Sequence, residues 1–171
     1  SAFYFDIRKD ALYCDPKNSE RRKSCLIVLN IILESLTRWF APILSFTTEE
    51  IFTLINKDKK SIHLEKFIKF PNSFENKKLN EKWLKLKKIR DICNISIEAK
   101  RSNKEIGSSL EANLMISINQ KLFDVTENTN FSELCITSDA KIKIIESDEV
   151  VAITTKAEGE KCSVCWKINK N

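Results

Sequence analysis

LNEKWLKLKKIRDICNISIEAKRSNKEIGSSLEANLMISI, residues 79–118, contains the change of period that decides the fold class. Up to Ser102 its apolar side chains Leu79, Trp83, Leu86, Ile89, Cys93 and Ile97 share one sector at about 100° per residue, which predicts a single long helix. After Gly107 the period becomes two. Leu114, Ile116 and Ile118 alternate with Asn113, Met115 and Ser117, as in a half-buried strand. Leu134–Thr137, Lys141–Ile145 and Val150–Thr155 also read as strands, being rich in β-branched residues. Gly107 is expected to end the helix by taking a positive φ. The predicted class is α+β: a helical bundle followed by a small α/β subdomain.

Upstream, residues 18–55 repeat the helical pattern, with Leu26, Leu29, Leu33, Leu36 and Phe40 at the spacing of a buried face. Pro42 should end or kink that helix, because proline lacks a donor and crowds the preceding turn. A second helix start is expected at Thr47, which forms a capping box with Glu50 while Phe46 staples onto Ile51. Residues 56–80, with Lys57, Asp58, Lys59, Lys60, His63 and Pro71, read as a polar connector with few regular elements.

The chain has 171 residues and a formal charge of +5, with two glycines and one histidine. An average domain of this size carries roughly a dozen glycines. Gly107 and Gly159 cannot make a dinucleotide or Walker-type phosphate loop, and His63 alone cannot make a two-histidine metal site. An independent hydrolase or nucleotide enzyme is therefore not expected. Composition is globular, at 42% hydrophobic and 31% charged residues. The most apolar stretch, Leu26–Phe46, is broken by Asn30, Glu34, Arg38 and Pro42, so no membrane span is expected. The start at Ser1, in mid-pattern and without methionine, suggests a piece of a longer polypeptide. The net charge is concentrated on the long helix and its end: Lys82, Lys85, Lys87, Lys88, Arg90, Lys100, Arg101 and Lys104 face only Glu81, Asp91 and Glu98.

Of the six cysteines, Cys14, Cys25, Cys93 and Cys135 are scattered like buried thiols of a reducing cytoplasm. Cys162 and Cys165 have the spacing of a zinc knuckle, but a tetrahedral structural site needs four ligands and this is half of one. Trp166 either stacks on a base or covers the knuckle. The basic helix is either a footprint for a phosphate backbone or a solvated lysine face. Arg90, inside the apolar sector, either pairs within the fold or reaches a ligand at the packing seam. His63 reads as a surface histidine, and Glu34, Glu49, Glu50 and Glu111 as helix charges and caps. No catalytic set emerges.

Several strings occur in a telling order. They are Ser1-Ala2-Phe3-Tyr4-Phe5-Asp6-Ile7-Arg8-Lys9-Asp10 with Leu12-Tyr13; Arg38-Trp39-Phe40-Ala41-Pro42-Ile43-Leu44-Ser45-Phe46-Thr47 with Glu49-Glu50-Ile51; Ile62-His63-Leu64-Glu65; Ile106-Gly107-Ser108-Ser109-Leu110-Glu111-Ala112; and Lys161-Cys162 with Cys165-Trp166. Together they resemble the C-terminal part of the bacterial isoleucyl-tRNA synthetases, over essentially the whole chain. The resemblance implies a cytoplasmic, monomeric class I enzyme that attaches isoleucine to tRNA(Ile), with ATP and Mg2+ used in a catalytic domain preceding this region. It implies a helical anticodon-stem-binding domain at 1–104, a small α/β junction at 105–158 and the start of a zinc domain at 159–171. Cys162 and Cys165 would then be the first of two Cys-x-x-Cys pairs holding Zn2+, and Trp166 would bind tRNA. Family members commonly carry arginine before the second cysteine, where Val164 stands here. Lys87, Arg90, Arg101 and Lys104 are the expected phosphate contacts. This chain alone should be catalytically inactive. The competing expectation is a helical protein-interaction module without a nucleic-acid role.

Overall fold

The computed structural model describes residues 2–58 and 60–170. Ser1, Lys59 and Asn171, which belong to the first resemblance string, the connector and the last predicted segment, lie outside the described residues. In chain order the elements are α1 (Ala2–Ile7), α2 (Lys9–Tyr13), α3 (Glu20–Phe40), α4 (Ser45–Ile55), α5 (Lys77–Ser102), β1 (Ala112–Ile118), α6 (Gln120–Thr126), α7 (Phe131–Leu134), β2 (Asp139–Ile144), β3 (Val151–Lys156), β4 (Glu160–Lys161) and β5 (Ile168–Asn169). Helices and small sheets mix as an α+β chain does. Two compact units form, one from residues 1–14 with 76–171 and one from residues 15–75. No described helix is long and apolar enough to cross a membrane.

In the larger unit, β1 is the centre of a three-stranded sheet, parallel to β2 and antiparallel to β3. Ala112, Leu114, Ile116 and Ile118 alternate into the core, as the period of two predicts. Helix α5 starts on Asn76, whose Oδ1 accepts the Leu79 N–H at 2.9 Å, and buries Leu86, Ile89, Cys93 and Ile97 in the same core. Ser96 and Thr154 join α5 to β3 through their hydroxyls, 2.7 Å apart. Cys93 and Cys135 meet inside this core, and their hydrogen bond, with burial, pushes the Cys135 thiol far above its ordinary range.

Two expectations fail here. Leu134–Thr137 is not a strand: Asn130 caps α7 by accepting the Glu133 N–H at 3.2 Å, and Ile136 has φ 57°, which a strand cannot contain. Nor does Gly107 end α5. Lys104 takes the left-handed conformation, with φ 60°, while the Gly107 N–H donates to Glu111 Oε2 at 2.9 Å. A Cβ on Gly107 would stand 3.2 Å from Glu111 Oε1, so glycine there makes room for a carboxylate.

In the smaller unit, α3 and α4 are separated by a tight turn at Pro42, as expected. The helix after it begins at Ser45, with Leu44 as the uncapped N-cap, rather than with a Thr47 capping box. The reason is local: Leu44 N–H closes back onto the Phe40 carbonyl at 2.7 Å, and Thr48 Oγ1 bonds the Leu44 carbonyl at 2.9 Å. Helix α3 also inverts its predicted burial. Ser35, Thr37 and Arg38 are buried, whereas Leu26, Leu33, Leu36 and Phe40 are 40–43% exposed. Ser35 and Thr37 are satisfied by donating to the Ile31 and Leu33 carbonyls, both at 2.7 Å. Arg38 bonds Glu34 and reaches Glu65 Oε2 at 3.4 Å, while Glu49 accepts from Ser61 Oγ and the Ile62 N–H, both at 2.9 Å. These glutamates tie the connector to the helices. His63 is exposed in the short 3-10 turn Ile62–Leu64, and a similar turn occupies Asn72–Phe74.

Candidate nucleic-acid interface

Every residue picked out from the sequence as a possible ligand lies in the larger unit, in three places. The first is a hairpin in which β4 and β5 pair antiparallel, Lys161 opposite Ile168. Gly159 is required at its base, having φ 133°, and a Cβ there would come within 2.2 Å of the Asn169 carbonyl oxygen. Across the turn, Cys162 N–H donates to the Lys167 carbonyl at 2.8 Å and Trp166 N–H to the Cys162 carbonyl at 3.0 Å. The backbone N–H groups of Cys165 and Val164 face the Cys162 sulfur and hold its thiol below the ordinary range. The hairpin is fixed by Ile168 N–H to Ser138 Oγ at 2.6 Å, by Ser138 Oγ to the Leu110 carbonyl at 2.5 Å and by Lys167 to Asp10 at 3.3 Å.

Trp166 has φ 65° and is 59% exposed, with Lys161 Nζ 5.1 Å from its ring centroid. The turn therefore turns a flat aromatic face outward beside a cation. Next to it a largely apolar groove of about 500 Å3 runs between α2 and the knuckle, lined among others by Tyr13, Cys14, Val164 and Cys165. Tyr13 and Lys161 were not singled out from the sequence as site residues. Both stand in the resemblance strings, but Tyr13 lies far from the knuckle in the chain and lysine is too common a residue to mark a site.

The second place is the middle of α5. Arg90 Nε donates to the Leu134 carbonyl at 2.8 Å, and its guanidinium lies 5.1 Å from the Phe3 ring centroid. Lys87 Nζ is also 5.1 Å from that centroid, and Phe3 meets Trp83 edge-on at 6.2 Å. One donor of Arg90 thus holds the fold. The third place is the C-terminal end of α5, where Arg101 and Lys104 line one shallow depression with Gly107. Arg101 is paired with Glu98 at 2.5 Å, and neighbouring Lys100 with Glu105 at 2.7 Å, so part of the positive charge is locally balanced. Eleven residues of helix separate Arg90 from Arg101, about 16 Å at 1.5 Å per residue. Lys87, Arg90, Arg101, Lys104 and Trp166 thus occupy three stations rather than one pocket.

Residues 1–116 match the family model described as the anticodon-binding domain of tRNA ligase. The chain is 69% identical over 170 residues to the isoleucine–tRNA ligase of Pelagibacter ubique (strain HTCC1062), covering 99% of this chain and 19% of that protein. It is 40% identical to the isoleucine–tRNA ligase of Bartonella henselae over 182 aligned positions, covering all of this chain and 19% of the relative. The same enzyme of Rhodopseudomonas palustris is 36% identical, with 98% of this chain and 18% of the relative covered. The chain thus spans about a fifth of the length of the curated relatives it matches. With that match running through α5 and into β1, the chain belongs to the anticodon-binding-domain family of tRNA ligases.

Proposed function

We propose that this chain is the tRNA-holding portion of an isoleucine–tRNA ligase, gripping the anticodon stem-loop of tRNA(Ile) while ATP-dependent attachment of isoleucine takes place in residues outside it. The observation that carries the reading is the 69% identity to an isoleucine–tRNA ligase over nearly the whole chain. The functional division follows that reading: a helical stem-binding domain at 1–104, an α/β junction at 105–158 and the start of a zinc domain at 159–171. Phosphate contacts from Lys87, Arg90, Arg101 and Lys104 would set position, and Trp166 would stack on a base. The spread of these residues along one unit suits an extended ligand better than a small molecule.

Cys162 and Cys165 suit one half of a thiolate zinc set, because the N–H groups around the Cys162 sulfur favour its charged form. No group of three or more His, Cys, Asp or Glu side chains placed for a metal occurs among the described residues. These two cysteines would hold the ion together with ligands from elsewhere, and the metal would brace the turn that presents Trp166. Binding of a tRNA(Ile) transcript, followed by fluorescence anisotropy, should weaken steeply as salt is raised. Affinity unchanged from low to moderate salt would remove the phosphate contacts from this reading.

A further inference from the structure

The smaller unit carries an aromatic and basic segment that none of the residues above uses. Its start is pinned: Ile62 is buried, and Glu65 is held by Arg38. Beyond Glu65 the chain has no regular secondary structure as far as Pro71, which precedes the short turn Asn72–Phe74. Among the described residues, no backbone hydrogen bond is donated from Lys66 to Phe70. Along this stretch Phe67, Phe70 and Phe74 are 61%, 41% and 62% exposed. The Phe70 and Phe74 rings lie 6.0 Å apart and are inclined at only 31°. Lys66 and Lys69 alternate with them, both exposed and neither in an ion pair among the described residues.

Three exposed phenyl rings within nine residues are more than the scattered apolar side chains of an ordinary surface. Their chemistry differs from that of the α3 stripe, which is mainly aliphatic and carries no lysine between its members. Flat π faces alternating with ammonium groups are the elements that hold unpaired nucleotides: bases stack on rings, and phosphates pair with the cations between them. Residues 66–74 contain two lysines and no carboxylate, with Glu65, which bonds Arg38, on one side and Glu75 on the other. Pro71, at φ −63°, stiffens the segment, so less order has to be imposed when a strand binds.

We infer that residues 66–74 form a stacking platform for single-stranded RNA, with Phe67, Phe70 and Phe74 taking base faces and Lys66 and Lys69 the phosphates beside them. This rests on the reading that the chain holds RNA, and it adds a contact in the unit that contributes none of the stations on α5 or the knuckle. The test uses the 171-residue chain with two fluorescein-labelled probes, oligouridine and a tRNA(Ile) transcript. The triple variant Phe67→Leu/Phe70→Leu/Phe74→Leu keeps apolar bulk and removes the rings. It should weaken oligouridine binding about fivefold or more, since base–aromatic stacking contributes at least that much per base. Phe67→Trp should bind at least as well as the parent chain, and Lys66→Gln/Lys69→Gln should flatten the salt dependence without abolishing binding. Circular dichroism matching the parent chain is expected for each variant, as the altered side chains are exposed.

Parent-chain binding to the transcript but not to oligouridine overturns the platform, as does equal binding by the leucine variant; the segment would then be a protein-contact surface. No binding of the parent chain to the transcript overturns the proposed function. Oligouridine binding that depends on the three rings would still support the platform in that case.

Discussion

Helices α3 and α5 have the same kind of apolar repeat and opposite fates. In α5 the stripe Leu86, Ile89, Cys93 and Ile97 is 0–3% exposed against a sheet of its own unit. In α3 the stripe Leu26, Leu33, Leu36 and Phe40 is 40–43% exposed, and the helix turns Ser35, Thr37 and Arg38 inward instead. A 3.6-residue period establishes that a helix has an apolar face, but not that a partner waits for it. Where β1 and β3 are at hand, hydrophobic burial decides the orientation of the helix. In the smaller unit Arg38 and Glu34 reach beyond α3 to Glu65 and Asn56, both at 3.4 Å, while the Ser35 and Thr37 hydroxyls bond carbonyls of α3 itself.

The contrast is broken most directly in the larger unit. Leu86→Ala removes a side chain that is 1% exposed and should cost about 2–5 kcal/mol, the range for a core leucine whose site cannot fully collapse. Urea melts together with hydrogen exchange on α5 and β1 would measure it; a loss well below that range would mean that the α5–sheet core is loose. Arg38→Met tests the polar interior of the smaller unit. It removes the guanidinium that bonds Glu34 and reaches Glu65, and since both carboxylates are about a quarter exposed, the expected cost is nearer about 2 kcal/mol than the full penalty of a stranded buried charge. Exchange protection in α3 and α4 is the readout, and a neutral result would show that packing rather than the ion network orients α3. Leu33→Ala should have the smallest effect, under about 1 kcal/mol, because the side chain is already 40% exposed and leaves no closed cavity. A loss as large as that for Leu86→Ala would show that the α3 stripe is covered in solution.

Much of the architecture was legible in the chain. The long helix, the turn at Pro42, the connector and three of the four predicted strands could be read, because period and breakers are local properties. Leu134–Thr137 was read as a strand because of its β-branched Ile136 and Thr137, whereas Leu134 ends α7 and Ile136 takes a positive φ. Gly107 was assigned a positive φ that Lys104 carries instead, since the identity of a residue does not reveal which neighbour will close on it. Of the candidate site, the cysteine pair and Trp166 were visible as a motif. Tyr13 and Lys161 stood in the resemblance strings, but nothing in their types marked them as site residues.

The sequence by itself determined the class of fold, through the switch from a 3.6-residue to a two-residue period after Gly107, and a family resemblance carried by strings from Ser1 to Trp166. Only the tertiary structure decided which faces those elements bury. It bound Arg90 to a carbonyl of the fold, turned Trp166 outward through a left-handed backbone, and left Phe67, Phe70 and Phe74 bare beside their lysines. The reason is physical: periodicity is written along one segment, whereas burial is a competition among all the segments that can reach it.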